Sequence, residues 1–169
     1  PTSGIRDRER RAQFSMPPGI GPVNLAGLQP APTPQLQPGQ SALLDSLLHQ
    51  APTWDDIAWL RSITRLPVLL KGVLHPADAI LAVVAGAAGV IVSNHGGRTL
   101  DTAPPTAVAL PRVAQAVAGA VPVLVDGGIR RGTDVLKGME LGARAVLVGR
   151  PAVQGLAHGG AAGVAHVLR

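Results

Sequence analysis

A histidine, two glycines and an arginine follow an apolar run in the middle of the chain. Residues 89–94 read Gly-Val-Ile-Val-Ser-Asn, and His95, Gly96, Gly97 and Arg98 come next. A histidine with a pKa near neutrality can accept a proton, and an arginine three residues later can hold a carboxylate by two parallel hydrogen bonds. The pair predicts proton transfer on a small acid such as a 2-hydroxy acid. The alternative is a strand that ends in an ordinary glycine turn.

Two glycine-rich segments nearer the C-terminus have the composition of an anion site. The segments are Asp126-Gly-Gly-Ile-Arg130 and Gly149-Arg150. Glycines let backbone N–H groups approach a phosphate, the helix that begins near Thr133 adds partial positive charge, and an arginine can bind two oxygens. The segments predict a cradle for a phosphorylated cofactor or substrate, as barrels build after their last two strands. The alternative is a pair of tight turns with solvated arginines.

A strand followed by a helix recurs from residue 67 onwards. The predicted strands span 67–73, 89–94, 121–126 and 145–149, and the predicted helices lie near 77–85, 106–118 and 133–141, with another after Pro151. Gly86, Gly119 and Gly142 stand where helix C-caps are expected, and Pro111 predicts a late start or a kink in the third helix. This alternation predicts a parallel sheet of the α/β class.

Every predicted strand ends in a polar or glycine-rich group. These groups are Lys71, then Ser93 with His95 and Arg98, then Asp126, then Gly149 with Arg150. The carboxyl ends of parallel strands meet at one edge of a sheet, which is where α/β barrels carry their catalytic residues. A lone Lys71 could be a structural lysine paired with a carboxylate. Four strand ends that converge favour a functional site.

The N-terminal third has a different composition. Prolines crowd residues 16–40, which predicts a loop without regular structure. Leucines at helical spacing predict a short helix at 41–49, so we divide the chain into an arm with a Pro/Gly-rich loop at 1–52 and a half-barrel at 53–169. Thr53 is the predicted cap of the next helix, with Asp56 in the capping-box position and a buried stripe formed by Ile57, Leu60 and Ile63.

Composition narrows the possible functions. The 169 residues are short for a complete eight-stranded α/β barrel, which needs about 250. The net charge of +5 is spread along the chain and the only aromatic residues are one Phe and two Trp, which argues against nucleic-acid binding. The sequence has no cysteine and no apolar run of membrane-spanning length. No metal site is predicted, because the other histidines (His49, His75, His158 and His166) lack ligand spacing and are interpreted as surface or capping residues.

Taken together, these segments resemble the FMN-dependent 2-hydroxy acid oxidases and dehydrogenases, of which glycolate oxidase and the peroxisomal hydroxyacid oxidases are the nearest types. The resemblance rests on residues 71–73, 93–101, 126–134 and 149–151. It implies strands 5–8, the C-terminal half, of a (β/α)8 TIM barrel with a Pro-rich N-terminal loop. It also implies FMN as cofactor, a homo-oligomer if the barrel is complete, and a peroxisomal location, although the final residues are not a peroxisomal address.

The resemblance also implies a role for each residue. His95 would be the catalytic base, Arg98 would bind the substrate carboxylate, and Arg6 would add a second carboxylate contact. The cofactor would be bound at its flavin ring by Lys71 and Ser93, along its ribityl chain by Asp126, and at its phosphate by Gly127, Gly128, Ile129, Arg130, Gly149 and Arg150. Whether His95 takes the hydroxyl proton or the α-proton stays open.

The chain also departs from that family. It contains no tyrosine, whereas the family has two substrate-facing tyrosines. The family's first four strands have no counterpart in it, so we predict weak or no turnover by the chain alone. Two other interpretations stay open: a non-catalytic half-barrel that pairs with itself or with a full-length relative, and a phosphate-binding barrel that uses no flavin.

Overall fold

The structure is a computed structural model that describes residues 11–21, 23–29, 37–41, 51–100 and 102–169. The chain divides into two units, Ile5–Thr53 and a larger one made of Pro1–Gly4 with Trp54–Arg169. The described part of the smaller unit includes a short 3-10 helix, Val23–Leu25. The helix predicted at 41–49, with His49, lies outside the described residues except for Ser41.

The larger unit alternates helices and strands along its described residues. Its elements are α1 (Asp55–Ile63), β1 (Leu69–Val73), α2 (Pro76–Val84), β2 (Gly89–Val92), α3 (Thr106–Val117), β3 (Val123–Val125), α4 (Gly132–Glu140), β4 (Ala145–Val146) and α5 (Arg150–Val167). The four strands form one sheet in the order β1-β2-β3-β4, and every neighbouring pair is parallel. A helix joins each strand to the next, which confirms the predicted α/β class.

The strands are shorter than predicted, mainly at their carboxyl ends. β2 ends at Val92 rather than at residue 94, and β4 ends at Val146 rather than at residue 149. Ser93 and Asn94 follow β2, and Leu147, Val148 and Gly149 follow β4. They leave the sheet there and form the loops described below.

The core is built from small and β-branched side chains around β2. Val90 and Val92 are fully buried, while Ile91, which points to the opposite side of the strand, is only partly buried. Against them pack buried residues of α2 and α3: Ala79, Ala82, Ala109, Leu110, Val113 and Val117. This packing holds the carboxyl end of β2, and therefore the loop after it, on a rigid base.

Most predicted helix ends are confirmed. Gly86, Gly119 and Gly142 all have positive φ directly after a helix C-cap. After α2, the amide of Gly86 donates to Val83 O at 2.9 Å and that of Ala87 donates to Ala82 O at 2.9 Å, the paired bonds of a Schellman motif. His75 is the N-cap of α2, and its ring accepts a hydrogen bond from the Ala77 amide, as its interpretation as a capping residue requires.

α1 begins one residue later than predicted, and its predicted buried stripe is wrong at two of its three residues. The helix begins at Asp55 with Trp54, not Thr53, at the N-cap position. Ile57 is buried, but Leu60 and Ile63 are 37% and 62% exposed. Periodicity shows which residues share a helix face, but it does not show whether another element covers that face.

Two helices depart from regularity at Pro or Gly. α3 begins at Thr106 and runs through Pro111, so the predicted late start is wrong; Ala107 O loses one intrahelical partner, and Ala107 is exposed. α5 is broken at Gly159 and Gly160, where φ/ψ are −149/28° and 57/−145°. The segments on either side fold back so closely that a Cβ at Gly155 would lie 2.7 Å from Gly163 O.

In the parts of the chain that the structure describes, no helix has both the length and the apolar character needed to cross a membrane.

Candidate active site at the carboxyl ends of the strands

An open cleft of about 820 Å³ lies at the carboxyl ends of the strands. It brings together almost all the site residues predicted from the sequence: Lys71, His95, Arg98, Asp126, Gly127, Gly128, Ile129, Arg130, Gly149 and Arg150. Ser93 lies beside the cleft, 2% exposed, and contacts two of these residues. The remaining predicted residue, Arg6, lies outside the described residues.

Lys71 is placed by an irregularity in β1. The register of β1 against β2 shifts between Lys71 and Val73, and the residue between them, Gly72, has a φ of 102°. A Cβ on Gly72 would meet no atom within 4 Å, so glycine is favoured there by backbone conformation rather than by space. A bulge of this kind re-aims the neighbouring side chain, which here is Lys71.

A charged network joins three strand ends. The Lys71 ammonium donates to Ser93 Oγ at 2.7 Å and lies 2.5 Å from Asp126 Oδ2. Ser93 Oγ also accepts from the His95 amide at 3.0 Å. The lysine and aspartate side chains are 40% and 18% exposed, so the carboxylate is the more buried charge and depends more on its partner.

The second carboxylate oxygen of Asp126 is a free acceptor. Oδ1 is buried and has no hydrogen-bond partner among the described residues. A buried acceptor without a donor costs about 1–3 kcal/mol. The atom is therefore positioned to accept a hydrogen bond from a ligand hydroxyl.

The loop that carries the histidine has an unusual backbone. His95, Gly96 and Gly97 have successive φ values of 54°, 66° and 72°. The Gly97 amide donates to both the backbone oxygen and Oδ1 of Asn94, at 3.0 and 3.2 Å, and Asn94 Nδ2 donates to Pro104 O at 3.2 Å. Histidine is one of the non-glycine residues that adopt the left-handed region more readily than most.

The loop after β3 has the features of an anion cradle. Gly127 and Gly128 have φ values of 87° and 80°, and in the described chain the amides of Gly128, Ile129 and Gly149 donate to no protein group. The Arg130 and Arg131 amides are different, because each donates to Asp134 Oδ2 at 3.0 Å. These two bonds are the main cause of a lowered pKa of Asp134. Because the Arg130 amide is used in this way, only the side chain of Arg130 can donate hydrogen bonds to a ligand.

Two residues that connect the loops, Asn94 and Thr106, were not predicted as site residues. Asn94 supports the histidine loop, and the buried hydroxyl of Thr106, the first residue of α3, donates to Gly127 O at 3.3 Å. Arg150, predicted only as a phosphate ligand, also donates from Nη2 to Gly96 O at 3.1 Å. A polar residue directly before the histidine and a threonine after Pro104-Pro105 were the available signals.

The family follows from comparison with known sequences. The profile of the FMN-dependent dehydrogenases, described as "FMN-dependent dehydrogenase", matches residues 1–169. The chain therefore belongs to this family. It is 53% identical over 169 residues to an L-lactate oxidase of Roseobacter sp., covering 100% of this chain and 46% of that protein. It is 60% identical over 134 residues to a peroxisomal (S)-2-hydroxy-acid oxidase of Oryza sativa subsp. japonica, covering 79% of this chain and 36% of that protein.

Solved structures agree with these relatives. A mandelate oxidase structure with (S)-2-phenylpropionate is 44% identical to this chain and superposes with a TM-score of 0.78. The match covers 98% of this chain and 43% of the mandelate oxidase chain. The chain thus spans about half the length of the Roseobacter and mandelate oxidases. Together with the four parallel strands, these matches confirm the expected fold, the C-terminal half of an α/β barrel.

The residues present fit FMN, the cofactor of this family. The unpartnered Asp126 Oδ1 suits a ribityl hydroxyl, and the free amides of Gly128, Ile129 and Gly149 suit a phosphate. A Cβ at Gly128 or Gly149 would meet no protein atom within 4 Å, so these glycines leave open space along the cleft. The Lys71 ammonium provides a positive charge beside the same aspartate.

Proposed function

We propose that this chain forms the FMN-binding and proton-transfer half of an enzyme that oxidises small 2-hydroxy acids to 2-oxo acids. The observation that carries the proposal is the network in which Lys71 bridges Ser93 and Asp126, with the His95 amide bonded to the same Ser93 hydroxyl. One network thereby connects a cationic group, a hydroxyl and the backbone of the residue that carries the basic ring, and Lys71, His95 and Asp126 line a single cleft.

When bound, FMN supplies a two-electron acceptor. Lys71 would place a positive charge beside the flavin ring, and Asp126 Oδ1 would accept a hydrogen bond from a ribityl hydroxyl. The amides of Gly128, Ile129 and Gly149, with the guanidinium groups of Arg130 and Arg150, bind the phosphate. Ser93 holds Lys71 by a hydrogen bond of 2.7 Å, so the lysine reaches the cofactor with few free rotamers.

His95 and Arg98 act on the substrate. Both side chains are exposed to the cleft. Arg98 binds the carboxylate by paired hydrogen bonds and so fixes the hydroxyl-bearing carbon, and an imidazole nitrogen of His95 accepts a proton as that carbon is oxidised. The substrate loses two electrons and two protons in becoming a 2-oxo acid: one proton goes to His95, and the two electrons and the other proton would go to FMN. Arg6 is the proposed second carboxylate contact.

The relatives narrow the substrate class. Their names specify L-lactate, (S)-2-hydroxy acids and mandelate. We extend to this chain the class they share, a small 2-hydroxy acid of S configuration, with oxygen as acceptor and hydrogen peroxide as product if the enzyme is an oxidase. A peroxisomal location is an extension from the rice relative's name, and self-association is a further prediction.

A ligand comparison tests the proposal. The purified chain is titrated with FMN, riboflavin and ribose 5-phosphate, and binding is followed by quenching of flavin fluorescence or by competition. We expect FMN to bind at least about tenfold more tightly than riboflavin, because the phosphate contributes charged hydrogen bonds. Equal competition by ribose 5-phosphate would instead support the phosphate-binding barrel that uses no flavin.

Turnover is tested separately with the FMN-loaded chain. Addition of L-lactate, glycolate or (S)-mandelate without oxygen is followed by loss of the visible flavin absorbance. We expect slow or undetectable bleaching by this half alone. Rapid bleaching would show that the described cleft is sufficient and that the predicted dependence on the family's other half is wrong.

A further inference from the structure

We infer that Thr106 and Asn94 are positioning residues that hold the histidine loop, residues 94–98, and the phosphate loop, residues 126–130, in a fixed relation. The inference rests on the proposed function for its catalytic meaning. Neither residue lines the large cleft, so each acts through the loops rather than by contact with substrate or cofactor.

Thr106 anchors the phosphate loop to the core. Its side chain is 4% exposed, and its hydroxyl donates to the carbonyl of Gly127 at 3.3 Å. Thr106 begins α3, and the next turn of that helix includes Ala109 and Leu110, both buried in the core. The position of Gly127 is therefore set by a helix that is packed against the sheet.

Asn94 anchors the histidine loop near the start of the same helix, α3. Its side-chain oxygen accepts from the Gly97 amide at 3.2 Å, and its side-chain nitrogen donates to Pro104 O at 3.2 Å, two residues before Thr106. A single short segment at the start of α3 thus holds both loops.

The two anchors meet at Gly127. A Cβ on Gly127 would lie 3.2 Å from Asn94 Oδ1 and 3.2 Å from Thr106 Oγ1. The backbone of the phosphate loop is seated between the side chain that orders the histidine loop and the side chain that begins α3. A displacement of either loop therefore requires a displacement of the other.

These contacts also form one wall of a second, smaller cavity of about 400 Å³. Asn94 and Thr106 line it together with Gly96 and Gly127, which also line the large cleft. Gly128, Ile129 and Arg150, which are proposed phosphate contacts, line both cavities, whereas Asn94 and Thr106 line only the smaller one.

Matched substitutions at position 106 test the inference. Thr106→Val removes the hydroxyl and keeps the shape, whereas Thr106→Ser keeps the hydroxyl. Ser62→Ala is the control, because Ser62 Oγ also donates to a backbone carbonyl, that of Trp59, but within α1. We expect Thr106→Val to weaken FMN binding about fivefold, and Thr106→Ser and Ser62→Ala to change it less than about twofold.

Amide hydrogen exchange provides a readout independent of FMN. Thr106→Val is expected to speed exchange in both loops, 94–98 and 126–130, while Thr106→Ser leaves both unchanged. Asn94→Ala is the second variant and is expected to speed exchange in the same two loops, so the test stands even if Thr106→Val fails to fold.

The outcomes are distinguishable. Faster exchange confined to one loop, or equal effects of Thr106→Val and Thr106→Ser, would overturn the positioning role. Failure of the unsubstituted chain to bind FMN would overturn the proposed function instead, while the exchange comparison would still decide whether the two loops are coupled.

Discussion

Lys71 reaches past the second strand of the sheet to form an ion pair with Asp126. The lysine belongs to β1 and the aspartate follows β3, and the strand between them supplies Ser93, which accepts a hydrogen bond from the same ammonium group. Three consecutive strand ends are therefore held by one cation. An interaction that spans three strands couples the stability of the sheet edge to the geometry of the proposed flavin site.

The ion pair is expected to contribute measurably to folding. Asp126→Asn leaves Lys71 without its charged partner, and we expect a loss of about 1–2 kcal/mol in the free energy of unfolding, between the values for exposed and buried pairs. Lys71→Met leaves the more buried carboxylate unpaired and should cost at least as much. Urea unfolding of both single variants and the double variant measures the coupling, and strict additivity would show that the pair contributes nothing.

Gly127 and Gly128 form a matched pair for testing the junction of the two loops. Both have positive φ, so alanine introduces similar backbone strain of about 1 kcal/mol at either position. Only at Gly127 would the new Cβ also crowd Asn94 and Thr106. We expect Gly127→Ala to lower thermal stability more than Gly128→Ala. Calorimetry of the two variants checks this, and equal midpoints would contradict the crowding seen at Gly127.

Asp134 is expected to make the phosphate loop sensitive to acid. Hydrogen bonds from the Arg130 and Arg131 amides lower the pKa of Asp134 in the folded protein. A carboxylate whose folded pKa is below its unfolded value stabilises the fold above the unfolded value, and this stabilisation disappears as the pH falls through the folded value. The loss should therefore occur below about pH 4.

Unfolding curves across that pH range test the role of Asp134. Asp134→Asn should flatten the acid limb of the stability profile and leave little difference from the unsubstituted chain at the lowest pH. Asp78→Asn, which removes a charge from the first turn of α2, is the control. Identical profiles for Asp134→Asn and the unsubstituted chain would show that Asp134 does not cause the loss of stability in acid.

The break in α5 predicts unequal effects of alanine at two nearby glycines. A Cβ at Gly163 would overlap the carbonyl of Gly155, whereas a Cβ at Gly159 would meet nothing within 4 Å. Gly163→Ala should cost about 2 kcal/mol through forced separation of the two helical segments, and Gly159→Ala less than about 0.5 kcal/mol. Denaturant titration measures both. A small effect at Gly163 would mean that the segments separate easily.

Short sequence patterns predicted much of the fold and most of the residues that were expected in the cleft. Glycines 86, 119 and 142 marked three helix ends, because a C-cap depends on a few neighbouring residues. Lys71, His95 and Asp126 were predicted together, because parallel strands bring their carboxyl ends to one edge. The buried stripe of α1 was wrong at Leu60 and Ile63, because exposure depends on elements distant in sequence.

The roles of Asn94 and Thr106 depend on such distant contacts. Thr106 and Gly127 are 21 residues apart in the sequence, and nothing local to either shows that they meet. The left-handed conformation of His95 is likewise set by Ser93 and by the glycines that follow, not by a preference of histidine strong enough to predict it.

The backbone of His95 affects how its chemistry can be isolated by substitution. At a φ of 54°, alanine is strained by about 1–2 kcal/mol relative to glycine. Asparagine adopts this backbone region more readily than most residues. An alanine scan would therefore mix lost proton transfer with a distorted loop. Asparagine removes the basic nitrogen while keeping the loop, which makes it the cleaner probe of what the imidazole does.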